Sequence, residues 1–255
     1  MRPYPLRVTL GGYVYLDSSD DCAAAALALD EYDYNDEVCV SPDFSPGFIA
    51  DLCGAGFLVM SQLFPEKAAG QKGSSGASPQ EEGGEIQAVL FPRHHLVRSC
   101  LFFPDLHIKK SIRSKLSRYE LRFDSDFETV MENCVKTHGD GWLTAPLVKA
   151  IKSVRELPAL KGGRRVRPAS FALYRQGVLV AGEFGMVAGR VYTSYSGYFE
   201  EENTGTVQMI LTARWLEENG FAFWDLGMPL PYKLTLGARE IGRREFIRAF
   251  WRARG

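Results

Sequence analysis

Residues 170–198 read SFALYRQGVLVAGEFGMVAGRVYTSYSGY, and this stretch decides the class of the fold. Two glycine-containing dipeptides, Gln176-Gly177 and Ala188-Gly189, interrupt runs of β-branched and aromatic residues. Short turns of this kind connect antiparallel strands. The stretch therefore predicts three antiparallel strands, at 170–174, 178–186 and 190–198.

The residues that follow predict a helix, a strand and a second helix. Asn203 is a favourable N-cap, apolar residues follow it at helical spacing, and Gly220 ends the pattern. Residues 221–226 predict a short apolar strand, and a basic helix begins at Gly242. This order predicts an α+β fold of N-acetyltransferase-like type, with a mixed, mainly antiparallel central sheet flanked by helices.

The amino-terminal part of the chain predicts a separate small domain. Residues 1–87 form an acidic domain of short strands and turns, and it ends in a flexible Gly/Ser-rich loop at 66–87. Ser45 and Pro46 begin a helix that should end near Gly54–Gly56. Residues 88–255 then make up the acetyltransferase-like domain.

Charge is divided unevenly along the chain. Residues 8–65 hold ten acidic residues and no Lys or Arg, whereas the remainder holds all 30 basic residues against 21 acidic ones, a net charge of +9. Such asymmetry favours a surface for an anionic partner on the basic part. The alternative is that both parts are simply solvated faces.

Composition excludes several classes of protein. With 45% hydrophobic residues, the chain of 255 residues is neither disordered nor collagen-like. No apolar run approaches the ~18 residues of a membrane span, and residues 1–12 lack the apolar core of a signal peptide. The five cysteines form no CxxC pair, and no His lies at ligand spacing from a Cys. We expect a cytoplasmic protein with reduced thiols and no metal.

Several further helices are predicted between residues 107 and 156. Ile108, Ile112 and Leu116 form one stripe of a helix over 107–118. Its other faces carry cations: Lys109, Lys110, Arg113, Lys115 and Arg118. Ser125-x-x-Glu128 has the pattern of a capping box, and Thr144 with Pro146 begins a helix that runs to about residue 156. A basic loop follows, with Lys161, Arg164, Arg165 and Arg167.

A series of motifs, in the same order, resembles the leucyl/phenylalanyl-tRNA–protein transferase family. They are Asp43-x-Ser-Pro46, Ala88-Val-Leu-Phe-Pro92, Leu106-His-Ile108, Tyr119-x-Leu-x-Phe123, Gly141-Trp-Leu-Thr144, Leu179-Val180 with Gly185, Gly189-Arg190, Leu236-Gly-Ala-Arg-Glu-Ile241 and Arg243-Arg-Glu-Phe246. The last two are the most specific. The similarity covers roughly residues 40–250.

The resemblance implies an activity and a set of partners. Family members move an aminoacyl group, Leu or Phe, from a charged tRNA to the α-amine of a protein that begins with Arg or Lys. The product enters N-degron proteolysis. The resemblance implies no metal and no cofactor beyond aminoacyl-tRNA as co-substrate, and we expect a monomer that binds no membrane.

The resemblance also implies a catalytic acid. Asp225 matches the family's acid at the end of a strand, where a carboxylate could orient the incoming ammonium. The alternative is an Asp that caps the following turn. Two residues beyond it, Gly227 stands where relatives have the Gln proposed to contact the amine.

The pocket for the donor amino acid departs from the family pattern as well. Glu183 replaces a Met, Tyr195 replaces a Glu, and Gly197 replaces a Met. A carboxylate in an apolar pocket implies that Glu183 binds an amine or that the donor is basic, unless the side chain points outward. Phe184 and Tyr192 keep the aromatic character of the wall, with core packing as the alternative.

The expected tRNA contacts are an aromatic residue and the basic helix. Trp142 matches a family Trp that stacks on the terminal adenosine, although a core position is the alternative. The five cations of residues 109–118 match a family helix that follows acceptor-stem phosphates, with a solvated face as the alternative. The acids Glu200-Glu-Glu202 replace a basic pair in relatives.

Three functions remain open at this point. The first is an aminoacyl-tRNA–protein transferase with an altered donor pocket. The second is a catalytically silent homologue that binds tRNA or N-degrons. The third is an acyl-coenzyme A acetyltransferase, which the lack of a pyrophosphate-binding glycine loop before Asn203 disfavours.

Overall fold

A computed structural model describes residues 4–65, 86–139, 141–158 and 165–255. The strands are β1 (Arg7–Val8), β2 (Val14–Tyr15), β3 (Cys39–Val40), β4 (Leu58–Pro65), β5 (Ile86–Arg93), β6 (Val97–Leu101), β7 (Glu120–Phe123), β8 (Val166–Arg175), β9 (Val178–Ala188), β10 (Val191–Phe199), β11 (Phe223–Asp225) and β12 (Arg239–Gly242). The helices are α1 (Cys22–Glu31), α2 (Pro46–Ala55), α3 (Lys110–Arg113), α4 (Phe127–His138), α5 (Ala145–Val154), α6 (Thr204–Glu218), α7 (Pro231–Leu236) and α8 (Arg243–Arg254).

A seven-stranded mixed sheet organises the fold, in the order β12-β6-β11-β10-β9-β8-β7. The predicted meander is confirmed as β8, β9 and β10: β8 and β9 are longer than predicted, whereas β10 has the predicted length and begins one residue later. The turn at Gln176-Gly177 has positive φ at both residues, 51° and 79°, which suits a tight hairpin. The prediction of an α+β fold with a mixed, mainly antiparallel central sheet flanked by helices is confirmed.

The strands β10 and β11 pair in parallel, and their pairing stops early. The last matched pair is Thr193 with Asp225. Beyond this pair, β10 continues to Phe199 through a bulge at Tyr195. The segment that follows β11 instead turns away at Gly227, where φ is 74°. The two chains therefore diverge, and a cleft opens between them.

Two hydrophobic clusters pack against opposite faces of this sheet. Alternate residues of β8 divide between them: Ala172 belongs to the cluster with α2, α4, α5 and α8, and Phe171 belongs to the cluster with α6. This alternation is what a strand buried on both faces requires. The sheet is thereby held between two helical layers, which fixes the position of the cleft.

The amino-terminal residues are more regular than predicted. The helix α1 was not anticipated, because its Ala-rich sequence carries no polar face that would mark a helical period. Asp21 caps it by accepting hydrogen bonds from the backbone N–H groups of Ala23 and Ala24 at 3.0 Å. The predicted helix at Pro46 is confirmed as α2.

The division into 1–87 and 88–255 stays a prediction. The proposed boundary falls inside β5, which pairs along its whole length with β4. Residues from both sides also share one hydrophobic cluster, for example Phe48 and Leu147. The expected loop at 66–87 lies mostly outside the described residues, apart from Ile86 and Gln87.

The predicted helix over 107–118 is wrong. The structure has the four-residue helix α3 and a separate 3₁₀ turn at Leu116–Arg118. Lys109 has extended backbone, with ψ of 137°, so no helix can begin at His107. Two short turns still bury Ile112 and Leu116, which explains why the spacing resembled one helix.

The side-chain caps predicted for two helices are also absent. Asp126, not Ser125, precedes α4, and the Ser125 hydroxyl donates to the Asp126 carboxylate at 2.6 Å. Asn203 precedes α6 as expected, but its side chain makes no capping hydrogen bond.

No helix among the described residues is long and apolar enough to cross a membrane.

Candidate active site

The cleft between β10 and β11 consists of two adjoining cavities of about 430 and 310 Å³. We call them the Glu183 chamber and the Trp142 chamber, because Glu183 lines the first but not the second and Trp142 lines the second but not the first. Eight residues line both cavities and form their junction: His138, Ser194, Tyr195, Ser196, Gly197, Leu226, Tyr232 and Lys233. The cleft therefore offers a continuous site with two ends.

Glu183 lies on the central strand β9 and points into its chamber. Its side chain is buried, with a residue exposure of 5%, and faces Gly197 across the β9–β10 pairing. A Cβ at position 197 would lie 3.2 Å from the Cβ of Glu183, so the glycine leaves room for the carboxylate. Sequence comparison alone could not decide between an inward and an outward orientation.

The partners of Glu183 satisfy one oxygen of the carboxylate. Oε2 accepts a hydrogen bond of 2.9 Å from Ser194 Oγ, which itself accepts from Trp224 Nε1 at 2.8 Å. Oε1 has no hydrogen-bond partner. Burial raises the pKa of Glu183 to about 7, while Ser194, Gln208 and Lys233 act in the opposite direction.

Lys233 is a second buried charge at the junction of the chambers. Its Nζ donates to the carbonyls of Leu226 and Met228, the latter at 2.8 Å. Burial lowers the pKa of Lys233 to about 8. Because these two carbonyls flank Gly227, Lys233 holds the turn that follows β11 in place.

Asp225, the predicted catalytic acid, is fully buried beneath the cleft. Its Oδ2 accepts from Arg98 Nη1 at 2.7 Å and from Thr193 Oγ1 at 3.1 Å, and its Oδ1 accepts from the backbone N–H of Gly227 at 2.9 Å. Asp225 lines neither of the two chambers. The structure thus places it as the anchor of the Gly227 turn, and direct contact with substrate stays a prediction.

Arg98 completes this buried pair. It has no exposed surface, and its Nη2 donates to the Gly56 carbonyl at 2.7 Å. Its guanidinium also lies over the Phe246 ring, 4.6 Å from the centroid. Sequence reasoning missed Arg98, although a lone Arg inside the apolar run of β6 requires a buried acid as partner.

The remaining predicted pocket residues separate into two groups. Tyr195 lines both chambers, and its hydroxyl contacts Cys53 Sγ at 3.2 Å and accepts from the Val59 N–H at 3.1 Å. Gly227 lines the Trp142 chamber. Phe184 and Tyr192 are fully buried in the core, on opposite faces of the sheet, and line neither chamber.

Trp142 lies where the Trp142 chamber meets β4. Its ring is half-buried beside Leu58 and Met60 of that strand. Its backbone carbonyl accepts from the Ser61 N–H at 2.9 Å, which attaches the segment before α5 to β4. The side chain also packs against the hydrophobic cluster of α2, α4, α5 and α8, and stacking on the terminal adenosine stays a prediction.

The predicted cations lie away from the two chambers. Lys109, Lys110, Arg113 and Arg118 are exposed, Lys115 is half-buried, and none of these five forms an ion pair within the described structure. Arg167 differs, because it pairs with Asp124 at 3.2 Å. Lys161 and Arg164 lie outside the described residues.

Sequence reasoning also missed His138 at the end of α4. This residue lines both chambers, and its Nε2 lies 2.7 Å from the Gly197 carbonyl.

A separate cavity of about 510 Å³, near Asp20, Asp21 and Asp51, contains none of the predicted site residues. The β10–β11 cleft is therefore the candidate active site.

The fold is of the α+β class, and the cleft lies where two parallel strands of its mixed sheet diverge. The family model described as leucyl/phenylalanyl-tRNA protein transferase matches residues 100–250, and the chain belongs to this family. The matched segment includes Trp142, Glu183 and Asp225, but not β4, which helps to close the Trp142 chamber.

Curated relatives agree with the family model. A leucyl/phenylalanyl-tRNA–protein transferase of Azotobacter vinelandii is 31% identical over 154 residues, which is 58% of this chain and 65% of the relative. That of Pseudomonas entomophila is 32% identical over the same shares. The match thus spans slightly less than two thirds of the length of these relatives.

The structure also has a distant solved neighbour. A GCN5-related N-acetyltransferase from Kribbella flavida is 13% identical, with a TM-score of 0.34 over 90% of this chain and 77% of that one.

Proposed function

We propose that the protein transfers an aminoacyl group from a charged tRNA to the amino-terminal nitrogen of a protein. The observation that carries this proposal is the family match over residues 100–250, which contains most of both chamber walls. The acceptor would begin with Arg or Lys, and the product would enter N-degron proteolysis. The reaction would take place in the cytoplasm, with the enzyme as a monomer.

The chemistry of this reaction asks for positioning more than for a covalent intermediate. An aminoacyl ester is already activated, so the neutral acceptor amine attacks its carbonyl carbon directly. The new amide bond forms as the bond to the 3′-oxygen of the tRNA breaks, and the proton lost by the amine passes to that oxygen. Holding both reactants at the junction of the chambers supplies the entropic part of the rate enhancement.

Lys233 is suited to assist at that junction. An ammonium has three N–H donors, and two of them serve the carbonyls of Leu226 and Met228. The third is available to a substrate oxygen that becomes negative in the transition state. With a pKa of about 8, Lys233 stays protonated at neutral pH.

The Trp142 chamber would receive the end of the tRNA. The terminal adenine would stack on Trp142, and the ester would reach the junction beside Gly227. The exposed cations of residues 109–118 would contact acceptor-stem phosphates, which adds affinity without sequence selectivity. No metal or further cofactor is part of this proposal.

The test is a transfer assay with a panel of charged tRNAs. Peptides that begin with Arg or Lys would be incubated with each radiolabelled aminoacyl-tRNA, and the products would be sequenced by mass spectrometry. The expected result is one added residue on the free amino terminus and none on N-acetylated control peptides. The proposal fails if no aminoacyl-tRNA serves as donor.

One observation favours the silent binding homologue as a second candidate. Asp225 is engaged in the buried pair with Arg98, and Gly227 offers no side chain to the acceptor amine. Binding of tRNA without transfer of any aminoacyl group would support this alternative.

A further inference from the structure

Glu183 is a buried carboxylate whose bonding is incomplete. Transfer of a carboxylate out of water costs several kcal/mol unless charges or hydrogen bonds compensate. Ser194 compensates Oε2, but Oε1 has no hydrogen bond although the residue is only 5% exposed. The Gln208 amide acts on Glu183 as a hydrogen-bond donor that lowers its pKa, but its position gives Oε1 no hydrogen bond of normal geometry, and its Nε2 also donates to Thr212 Oγ1 at 2.8 Å.

The chamber holds one Lys or Arg side chain among its described lining residues, Lys233, and its charge lowers the pKa of Glu183 without an ion pair between them. Among its described lining residues, Glu183 is the sole carboxylate. Lys233 is the nearest candidate partner, but its Nζ is bonded to two carbonyls, and no ion pair within 4.0 Å joins it to Glu183 in the described structure. A cationic occupant of the chamber would therefore add the charge partner that Glu183 lacks within the described structure.

The rest of the lining is suited to an aliphatic chain. Phe199, Met209 and Leu226 offer apolar surface, and Tyr232 offers an aromatic ring. An alkyl chain that ends in a cationic nitrogen matches this arrangement, because its methylene groups would bury against the wall and its head would lie beside the Glu183 carboxylate.

The position of Glu183 distinguishes the α-nitrogen of a basic aminoacyl group from its side-chain nitrogen. With the adenine in the Trp142 chamber, the ester would lie at the junction, and the α-nitrogen would stay two bonds from its carbonyl carbon. Glu183 lines the Glu183 chamber but not the Trp142 chamber, and the side chain of the donor would extend into the Glu183 chamber.

We propose that Glu183 determines the specificity of the donor site and binds the side-chain ammonium or guanidinium of a basic aminoacyl group, lysyl or arginyl. This inference rests on the proposed function. Such a donor would separate this chain from family members that carry Leu or Phe. The same carboxylate disfavours an apolar donor, because an apolar side chain would leave Oε1 buried without a partner.

The test uses non-hydrolysable 3′-amide analogues of aminoacyl-adenosine. One carries lysyl, the other carries 2-aminoheptanoyl, in which a methyl group replaces the ε-ammonium. Titration calorimetry on the full chain should give at least about tenfold tighter binding of the lysyl analogue, equivalent to one charged hydrogen bond. Glu183→Gln should abolish this preference, and Glu183→Met should reverse it.

Matched controls identify each failure. Glu202→Gln makes the same chemical change at an exposed site outside the chamber and should leave the preference intact. A third analogue, heptanoyl-adenosine amide, lacks the α-amine. Equal binding of lysyl and 2-aminoheptanoyl analogues would overturn the inference, as would a Glu183→Gln effect confined to the α-amine. If no analogue binds better than adenosine, the proposed function itself fails.

Discussion

Two buried carboxylates lie within the same sheet, and the structure treats them differently. Asp225 has hydrogen bonds on both oxygens and a guanidinium partner at 2.7 Å. Glu183 has one oxygen bonded to Ser194 and one without a partner, in the wall of a 430 Å³ cavity. The first charge is balanced within the chain, whereas the second is left for an outside partner.

This difference separates groups that hold the fold from groups that meet a ligand. Asp225 was the predicted catalytic residue, yet its surroundings are those of a structural ion pair. Glu183 was one of several altered pocket residues, yet it lines a cavity and its buried Oε1 has no hydrogen-bond partner. Incomplete bonding marks a binding site only where the group also lines a cavity, because Tyr192 Oη and Arg98 Nε lack partners too but line neither chamber.

The largest effect should come from breaking the balanced pair. Arg98→Met leaves Asp225 buried without its cation, and we expect a loss of about 3–5 kcal/mol in the free energy of unfolding. Urea denaturation measures it. The double variant Arg98→Met/Asp225→Asn should recover more than half of this loss, because no uncompensated charge remains. A loss below about 1 kcal/mol in the single variant would contradict a buried ion pair.

Glu183→Gln should have a smaller effect of the opposite sign. Burial raises the pKa of Glu183 to about 7, above its unfolded value of about 4.3, so the protonated form is favoured in the folded protein. Its contribution to stability is therefore complete below pH ~4 and is lost as pH rises through about 7. Above pH 7 the variant should be more stable than the parent by up to ~3 kcal/mol.

The pH dependence of this difference isolates Glu183 from its neighbours. Tyr192, Tyr232 and Cys134 face it, and burial raises the pKa of each, so they stay neutral over this range. Lys233 stays protonated below about 8. His138 lines the same cavity but is common to both proteins, so subtraction removes it. Parallel stability profiles for parent and variant between pH 5 and 8 would contradict the assignment.

The next effect tests whether the Trp142 chamber also awaits a ligand. Trp142→Ala should weaken tRNA binding by ~1–3 kcal/mol, the usual worth of one base stacked on an aromatic ring. Trp142→Phe should keep most of the affinity. The deciding measurement is the affinity of each protein for tRNA with and without its terminal adenosine. If Trp142→Ala still binds the complete tRNA more tightly than the shortened one by the same factor as the parent, the ring does not stack on that base.

The smallest effect concerns basic side chains, which also divide into those with an ion-pair partner in the described structure and those without one. Lys110 and Arg113 have no ion-pair partner in the described structure, whereas Arg155 and Arg167 share Asp124. Replacing Lys110 and Arg113 by Ala should reduce the slope of log affinity against log salt by about two. Arg155→Gln with Arg167→Gln is the matched control, expected to leave the slope nearly unchanged. Equal slopes in all three proteins would place residues 109–118 on a merely solvated face.

Much of the fold could be predicted because its signals are local. The meander follows from alternating residues and glycine turns, and α2 follows from Ser45, Pro46 and the glycine at its end. The missed α1 has little sequence periodicity, since Ala-rich surfaces bury on several sides. The false helix at 107–118 shows the converse, because two separate turns can bury the same apolar stripe.

The candidate site was predictable in part. Family resemblance pointed to Glu183, Tyr195, Gly227 and Trp142, and the structure brings all four to one cleft. It does not bring Phe184, Tyr192 or Asp225 to the cavity surface. Lys233 and His138 come from segments far apart in sequence, and no local pattern marks them as neighbours.

The sequence by itself determined the order of strands and helices from β8 to α8 except α7 and β12, the family, and which residues could carry charge into the cleft. The tertiary structure decided which of those charges are neutralised. Pairing of β6 with β11 places Arg98 beside Asp225, while the divergence of β10 from β11 leaves Glu183 facing a cavity. The reason is physical: hydrogen-bond partners across a sheet are set by strand register and strand separation, and neither is encoded within one short segment.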